Sequence, residues 1–301
     1  MTPCSLEGVG AGARIYPVIL CGGLGTRLWP LSHPAMPKPF LPLLSRRSVF
    51  QETLLRQAGI PGLMPPVVVC NEAHEELANR QMRDIDCEPF MTILEPCRRN
   101  TGPAAVLAAL ALAEEDREAV VLILPADHRI GDHAAYRGAV AAGLPAAAAG
   151  RVVALGAPAR SPDPALGYIL AGQPIGDCGA RQMDGFVEKP QASEAAELLA
   201  TGRWRWNCGI YVATANGLAA QCARHCPDIL SNCHAAMGGA GRCGRVIRPA
   251  ARPFGMCRSV SFDDAVMAVT EAGAIVGVDM DWEDIGNADA LARARSVAGA
   301  G

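Results

Sequence analysis

Three glycines, two cations and a carboxylate stand at spacings that suit phosphate chemistry. Gly22-Gly23-Leu24-Gly25-Thr26-Arg27 follows directly on the apolar run Val18-Leu20, where strand-end backbone N–H groups can face a polyanion. Glycines let a backbone approach phosphate without interference from Cβ. Lys38 follows in Met36-Pro37-Lys38-Pro39-Phe40, and two cations beside such a turn suit a triphosphate whose charge rises during transfer. A dinucleotide fingerprint would need glycine where Leu28 stands, and a Gly-Lys-Ser/Thr phosphate loop would need lysine where Thr26 stands. A plain glycine turn with solvated Arg27 and Lys38 is the competing reading.

Leu122-Ile123-Leu124-Pro125-Ala126-Asp127-His128 places Asp127 just past an apolar strand, at the edge of an α/β sheet where ligands bind. It is a candidate for Mg²⁺, which takes one or two carboxylates alongside phosphate oxygens and water. The acidic stretch Asp279-Met280-Asp281-Trp282-Glu283-Asp284 offers candidates for a second carboxylate. Each aspartate could equally be a cap or turn residue. Asn100 or Thr101 could cap a helix beginning at Pro103, Glu188-Lys189 could be a surface ion pair, and Trp206 could be core. Cys222, His225, Cys226, Cys233, His234 and Cys243 could supply four zinc ligands, but the C-x2-C spacing of a strong zinc site is absent.

The elements that position these groups alternate. Strands are expected at Val18-Leu20, Val67-Cys70, Thr92-Leu94, Val120-Leu124 and Val152-Leu155, with helices at Ser48–Gln57, Pro103–Glu115 and Ala134–Ala142. Such alternation implies an α/β fold with a mostly parallel central sheet flanked by helices. After Ala146-Ala149 the texture changes to Tyr168-Leu170, Phe186-Val187 and Gly209-Val212, with one short helix at Ser193–Ala200. Then come helices Asp263–Glu271 and Ala288–Val297 around a strand Ala274-Val278. The expected organisation is an N-terminal extension (1–14) and one domain (15–297), its first half about 15–150 and its second half, 151–297, a substrate-binding elaboration on the first.

Composition sets the wider limits. In 301 residues, half of them hydrophobic, a net charge of −3 leaves no basic excess for nucleic-acid backbone or anionic lipid. Without a secretory signal or an apolar stretch of roughly 20 residues, a cytoplasmic protein is expected. Its twelve cysteines are expected to be free thiols serving as small core hydrophobes.

Pro17-Val18-Ile19-Leu20-Cys21-Gly22-Gly23-Leu24-Gly25-Thr26-Arg27-Leu28-Trp29-Pro30-Leu31-Ser32, with Pro37-Lys38, resembles the signature of sugar-phosphate nucleotidyltransferases, and in particular the mannose-1-phosphate guanylyltransferase branch. The resemblance, which runs over roughly residues 15 to 295, implies a Rossmann-like nucleotide-diphospho-sugar transferase fold. It implies transfer of GMP from GTP to mannose 1-phosphate with Mg²⁺, giving GDP-mannose. By it, Gly22, Gly23, Gly25 and Thr26 wrap the nucleotide phosphates, while Arg27 and Lys38 stabilise the transferring phosphate. Asp127 and Asp284 hold the metal, the latter through its likeness to a Trp-x-Asp-x-Gly phrase. Asn100, Thr101 and Gly102 close over the purine, with Gly102 replacing the usual alanine in a mild change that keeps its backbone available. Gly167, Glu188, Lys189 and Asn207 hold the sugar phosphate. A homodimer is the assembly considered, and neither the isomerase domain nor the β-helix of some relatives is expected. Departures stand at Leu24, at Cys208 for serine, at Ala268 for an acid, and at Asn287-Ala288 for Ser-Trp. These leave room for a uridylyl-, thymidylyl- or cytidylyltransferase, or for a non-catalytic nucleotide-sugar-binding paralogue.

Overall fold

The computed structural model describes residues 12–23, 25–116 and 118–298. Leu24 and residues 1–11 of the expected extension lie outside them. The first half of the chain alternates β1 (Ile15–Leu20), α1 (Val49–Leu55), β2 (Val67–Asn71), α2 (Glu75–Arg83), β3 (Met91–Glu95), α3 (Thr101–Glu115), β4 (Val120–Pro125), a short β5 (His128–Ile130) and α4 (His133–Ala148). The second half runs β6 (Val152–Pro158), β7 (Tyr168–Pro174), β8 (Ala180–Val187), α5 (Ala192–Ala200), β9 (Trp204–Thr214), α6 (Ala215–His225), α7 (Pro227–Gly238), β10 (Gly241–Cys243), β11 (Val246–Arg248) and α8 (Ala251–Gly255). It finishes with β12 (Gly273–Gly277), β13 (Trp282–Asp284) and α9 (Ala288–Ala298).

Eleven strands form one sheet, in the order β10-β11-β3-β2-β1-β4-β9-β6-β12-β8-β7. From β11 through β3, β2 and β1 to β4 the ladder is parallel. Its strands β1 to β4 are near-continuous apolar runs, as strands covered on both faces must be. One core cluster lies between the sheet and α3, α6 and α7. A second lies on the opposite face, under α1, α2 and α4. The expected α/β class holds, and the antiparallel pairings enter with β9, which wedges between β4 and β6. The first residues of β9 also pair with β7, so β9, β6, β12, β8 and β7 close a ring beside the parallel section.

Because β1, β3 and β4 are parallel, their C-terminal ends share one edge. The chain leaves β1 toward β2 on one side and returns as β4 on the other, so the switch point falls between β1 and β4, where open α/β sheets bind ligands. The ribbon of β13 with β5 lies just beyond that edge, pairing Asp284 with His128.

Several elements differ from expectation. Helix α3 starts at Thr101, two residues before Pro103, and Asn100 accepts from the Thr101 N–H. Proline is tolerated there because first-turn N–H groups have no intrahelical partner. Helix α4 continues to Ala148. The helix expected at Asp263–Glu271 shrinks to a wide turn, Asp263–Met267, closed by Ala268 N–H to the Asp263 carbonyl at 2.8 Å. Helices α6 and α7 occupy the stretch where a cysteine-histidine zinc set was weighed. There Cys222 and Cys233 are buried in an apolar stripe with Leu218, Ile229 and Met237, so the thiols serve as small hydrophobes. Cys243 is exposed. Among the described residues, the one histidine, cysteine and acid grouping close enough for an ion contains no cysteine.

Candidate active site

The glycine-rich loop is held in place from three sides. The Cys21 N–H donates to the Val69 carbonyl, and Ser32, fully buried, donates its hydroxyl to the Gly25 carbonyl at 2.5 Å. Leu28, just past the loop, packs with Leu43, Val49, Ile285, Leu291 and Ala294, so α9 braces the segment carrying Arg27 and Lys38. Gly25 has φ +66°, and a Cβ there would collide with the Lys38 Cβ. Gly25→Ala is therefore expected to displace Lys38 while leaving the sheet intact. Since displacement of a catalytic group by about 1 Å can cost about 100-fold, any activity that depends on Lys38 should fall by that order with an unchanged circular-dichroism spectrum. Wild-type turnover would show that the loop does not position Lys38.

Lys38 is 3% exposed. Its Nζ lies 2.7 Å from Asp127 and 3.6 Å from Asp284, so one ammonium bridges the two expected metal ligands. Burial would raise the Asp127 carboxyl, but Lys38, His128 and Arg27 together hold it down to about 2. Arg27 projects from the loop toward the same place, since a Cβ on Gly286 would meet Asp284 at 3.2 Å and the Arg27 guanidinium at 3.5 Å.

His128 completes the group, its Nε2 3.8 Å from both carboxylates. The indole Nε1–H of Trp282 donates to His128 Nδ1 at 3.1 Å. Indole nitrogen can only donate, so Nδ1 is an acceptor and the neutral ring carries its proton on Nε2. Burial favours that neutral form. His128 thus presents an N–H to the carboxylates and is not a third metal donor. From below, Arg56, itself buried, donates to the His128 carbonyl at 2.7 Å and to the Thr53 hydroxyl at 2.8 Å. Two hard carboxylate oxygens within 4.8 Å of each other, one of them on a residue lining the adjoining cleft, fit a divalent cation of the Mg²⁺ type.

On one side of the loop a cleft is lined by Gly22, Gly23, Glu95, Arg98, Asn100 and Thr101. Thr101 reaches it, although its hydroxyl accepts from the Phe262 N–H at 2.9 Å. Gly102 does not line it. Its N–H is taken by the Val260 carbonyl at 3.0 Å, and a Cβ would meet that oxygen at 2.9 Å, so its backbone is not available as expected. Here glycine lets the Val260-Ser261 segment close on α3. Glu95, at the end of β3 and 3% exposed, is the polar group the sequence reading passed over. Burial pushes its carboxyl up to about 8 against the pull of Arg98.

A folded-state value raised from about 4.5 to about 8 favours the protonated carboxyl in the native protein. Stability is greatest below the lower value and falls as pH rises to the upper one. The melting temperature of Glu95→Gln minus that of wild type, both without ligand, should grow between pH 5 and pH 8. A flat difference in a thermal-shift titration would show that burial does not control this group.

On the other side, Lys38, Asp127, Gly209, Tyr211 and Asp263 line one cleft. Gly167, Glu188 and Asn207 adjoin it: a Cβ on Gly167 would meet the Glu188 carboxylate at 2.6 Å and the Asn207 Cβ at 3.3 Å. Lys189 ion-pairs with Glu188, whose carboxyl is raised by burial and by nearby Asp263. Asn207 donates to the Tyr211 hydroxyl at 2.8 Å and to Asp263 at 2.6 Å, and accepts from the Gly209 N–H at 3.0 Å. Both its N–H groups are thus spent on the protein, and Asp263 presents the acceptor to the cleft. Among the departures, Cys208 is fully buried behind the site, Ala268 faces solvent, and Asn287 accepts from the Ala290 N–H at 2.9 Å, capping α9 as the usual serine could.

The profile of the nucleotidyl transferase family matches residues 16–299. A xanthan biosynthesis protein XanB of Xanthomonas campestris pv. campestris is 38% identical over 92% of the chain, and a mannose-1-phosphate guanylyltransferase of Escherichia coli is 37% identical over 92%. The chain spans 58% and 59% of the length of these two relatives. A solved structure described as mannose-1-phosphate geranyltransferase from Thermus thermophilus superimposes with a TM-score of 0.81 at 33% identity, covering 94% of this chain and 79% of that one. UDP-glucose pyrophosphorylase bound to UDP-glucose shares the fold at 14% identity, with a TM-score of 0.63. With a strand-end glycine loop, a lysine-bridged pair of carboxylates and this match along nearly its whole length, the chain belongs to the nucleotidyl transferase family.

Proposed function

We propose that the chain transfers GMP from GTP to α-D-mannose 1-phosphate, releasing pyrophosphate and GDP-mannose for polysaccharide biosynthesis. The observation that carries this reading is the convergence of Asp127, Asp284, Lys38 and Arg27 at the switch point, between a base-sized cleft and a hydroxyl-binding one. The guanylyl and mannosyl choices follow the names of relatives. A cytoplasmic setting and a homodimer belong to the same proposal. No helix among the described residues is long and apolar enough to cross a membrane.

In the proposed reaction a phosphate oxygen of mannose 1-phosphate attacks the α-phosphorus of GTP. The new O–P bond forms as the bond to the β-phosphate oxygen breaks, and pyrophosphate leaves. The nucleophile is already anionic, so no general base is needed. Arg27 and Lys38 offset the repulsion between the two anions and hold them in line. Asp127 and Asp284 would hold Mg²⁺, which when bound neutralises charge on the triphosphate. Glu188 and Asp263 accept sugar hydroxyls, and Lys189 binds the sugar phosphate.

Pyrophosphate release should be measured with Mg²⁺ across GTP, ATP, UTP, dTTP and CTP against mannose and glucose 1-phosphates. GTP with mannose 1-phosphate should lead by at least about 10-fold, a margin that differential contacts can supply. A pyrimidine nucleotide in first place would overturn the base assignment. GDP-mannose binding without turnover of any pair would establish the non-catalytic paralogue. Ala268, the departure behind that rival, lines neither cleft.

A further inference from the structure

Cys233 on α7 and Cys257 just after α8 lie 24 residues apart in sequence, yet their sulfurs meet at 3.8 Å. Both are buried. The Cys233 thiol also reaches the carbonyl of Pro103, in the first turn of α3, at 3.8 Å. Cys257 belongs to the segment that closes over that turn. The Gly255 carbonyl accepts from the Arg99 guanidinium, the Val260 N–H donates to the Arg99 carbonyl at 3.3 Å, and the Val260 carbonyl accepts from the Gly102 N–H at 3.0 Å. The Phe262 N–H adds a bond to the Thr101 hydroxyl at 2.9 Å. Arg99, Asn100 and Thr101 line the cleft beside the phosphate loop, so the two thiols sit behind the wall of that cleft. Met256 and Arg258, on either side of Cys257 in the chain, are exposed, which leaves the buried Cys257 thiol just beneath the surface.

We propose that Cys233 and Cys257 are an oxidation site, converted by a small peroxide to a disulfide that weakens binding in the nucleotide cleft. The effect on the cleft rests on its reading as the nucleotide site, whereas the disulfide stands on the contact between the thiols. The hydrogen bond from Cys233 lowers the Cys257 thiol, burial raises it, and the Arg99 guanidinium lowers it again, with a net shift downward. The thiolate is the reactive form of cysteine, so Cys257 reacts first and Cys233 resolves. The Cys257 thiolate attacks one peroxide oxygen, the O–O bond breaks, and hydroxide leaves, giving a sulfenic acid. The Cys233 sulfur then attacks the Cys257 sulfur, the S–O bond breaks, and the Cys233 proton departs with that oxygen as water. Two thiols and one hydrogen peroxide give one disulfide and two waters, the sulfurs oxidised and the peroxide reduced. Bonded sulfurs stand about 2.05 Å apart, so the pair must close from 3.8 Å, and Cys233 loses the proton it directs at Pro103. Helix α7 and the segment from Gly255 to Val260 are drawn together, and the bonds from that segment to Arg99 and Gly102 carry the shift into the cleft wall. Cys222 and Cys226 form the rival pair, but both belong to the end of α6, and a bond between them would tie nothing to the cleft.

The test uses the full chain carrying Cys243→Ser, which removes the exposed thiol through which two copies could be linked. The protein is treated with an equimolar amount of hydrogen peroxide, blocked with iodoacetamide and mapped by peptide mass spectrometry. Affinity for GTP with Mg²⁺ is measured before treatment, after it, and after reduction with dithiothreitol. A peptide pair joining Cys233 to Cys257 is expected, with GTP bound at least about 5-fold more weakly, the lower end of ordinary coupling between sites. Dithiothreitol should reverse both changes. Cys233→Ala and Cys257→Ala, each added alone, should make GTP affinity insensitive to peroxide, and if one variant does not fold the other still decides. Peroxide that leaves the two thiols free, or that joins Cys222 to Cys226 instead, overturns the proposal. A bond between Cys233 and Cys257 with unchanged GTP affinity overturns the coupling to the cleft. Reduced protein that binds no GTP overturns the parent reading, and the peptide map then still decides the disulfide by itself.

Discussion

Lys38→Ala should lower turnover by about 100- to 1000-fold, the usual cost of removing one preorganised charge from a transition state. The same change should alter the unliganded protein in a way that a purely catalytic lysine would not. In the structure Lys38 is the cation shared by Asp127 and Asp284. Without it two carboxylates face each other across less than 5 Å, with the His128 N–H and the nearby Arg27 guanidinium left to offset their charge. Removing one partner of a fully buried pair costs about 3–5 kcal/mol. Here the penalty should be smaller, because the aspartate side chains remain 29% and 24% exposed. A divalent cation can replace the lost charge, so the melting temperature of Lys38→Ala should rise more on adding MgCl₂ than that of wild type, by linkage. Equal shifts in the two proteins would mean that Lys38 and the metal do not share the carboxylates. Undiminished pyrophosphate release would remove Lys38 from the chemistry altogether.

The loop, the parallel strands and Asp127 were legible because their signals are local. An apolar run that stops at glycines or at a carboxylate marks a strand end at a ligand-binding edge, and β1 and β4 have both form and position. Glu95 carries the same signal at the end of β3. It was passed over because Asn100-Thr101 supplied a ready resemblance a few residues on, and sequence does not show which of two neighbouring polar groups is left without a partner. His128, Trp282 and Asp263 were illegible for another reason. Their roles arise from pairings across 154 and 52 residues, the Trp282–His128 and Asp263–Tyr211 hydrogen bonds, which depend on tertiary closure. Strand β9 was half seen, since Arg205 and Asn207 interrupt its apolar pattern where it leaves β4 for β7. Helices α6 and α7 were hard to see because cysteines and alanines fill the places between Leu218, Ile229 and Met237 on their buried faces, which thins the apolar periodicity by which a helix is recognised.

Asp127→Asn and Asp284→Asn should each cost about 1000-fold in kcat/KM, the upper end for a group stabilising developing charge, and the double variant should cost little more than either alone. Asparagine keeps the shape but removes the charge and sets an amide donor beside the Lys38 ammonium. One substitution therefore both weakens metal affinity and frees Lys38 from its pair. Groups that act as a unit are not additive, and these two aspartates share one lysine, one histidine N–H and, as proposed, one metal ion. The measurement is a double-mutant cycle on pyrophosphate release, run at rising MgCl₂ so that an affinity defect separates from a chemical one. Fully additive losses would show that the two carboxylates serve separate steps. A loss at Asp127 with none at Asp284 would leave the metal to Asp127 and substrate oxygens, and would make the β5–β13 ribbon a support for His128 alone.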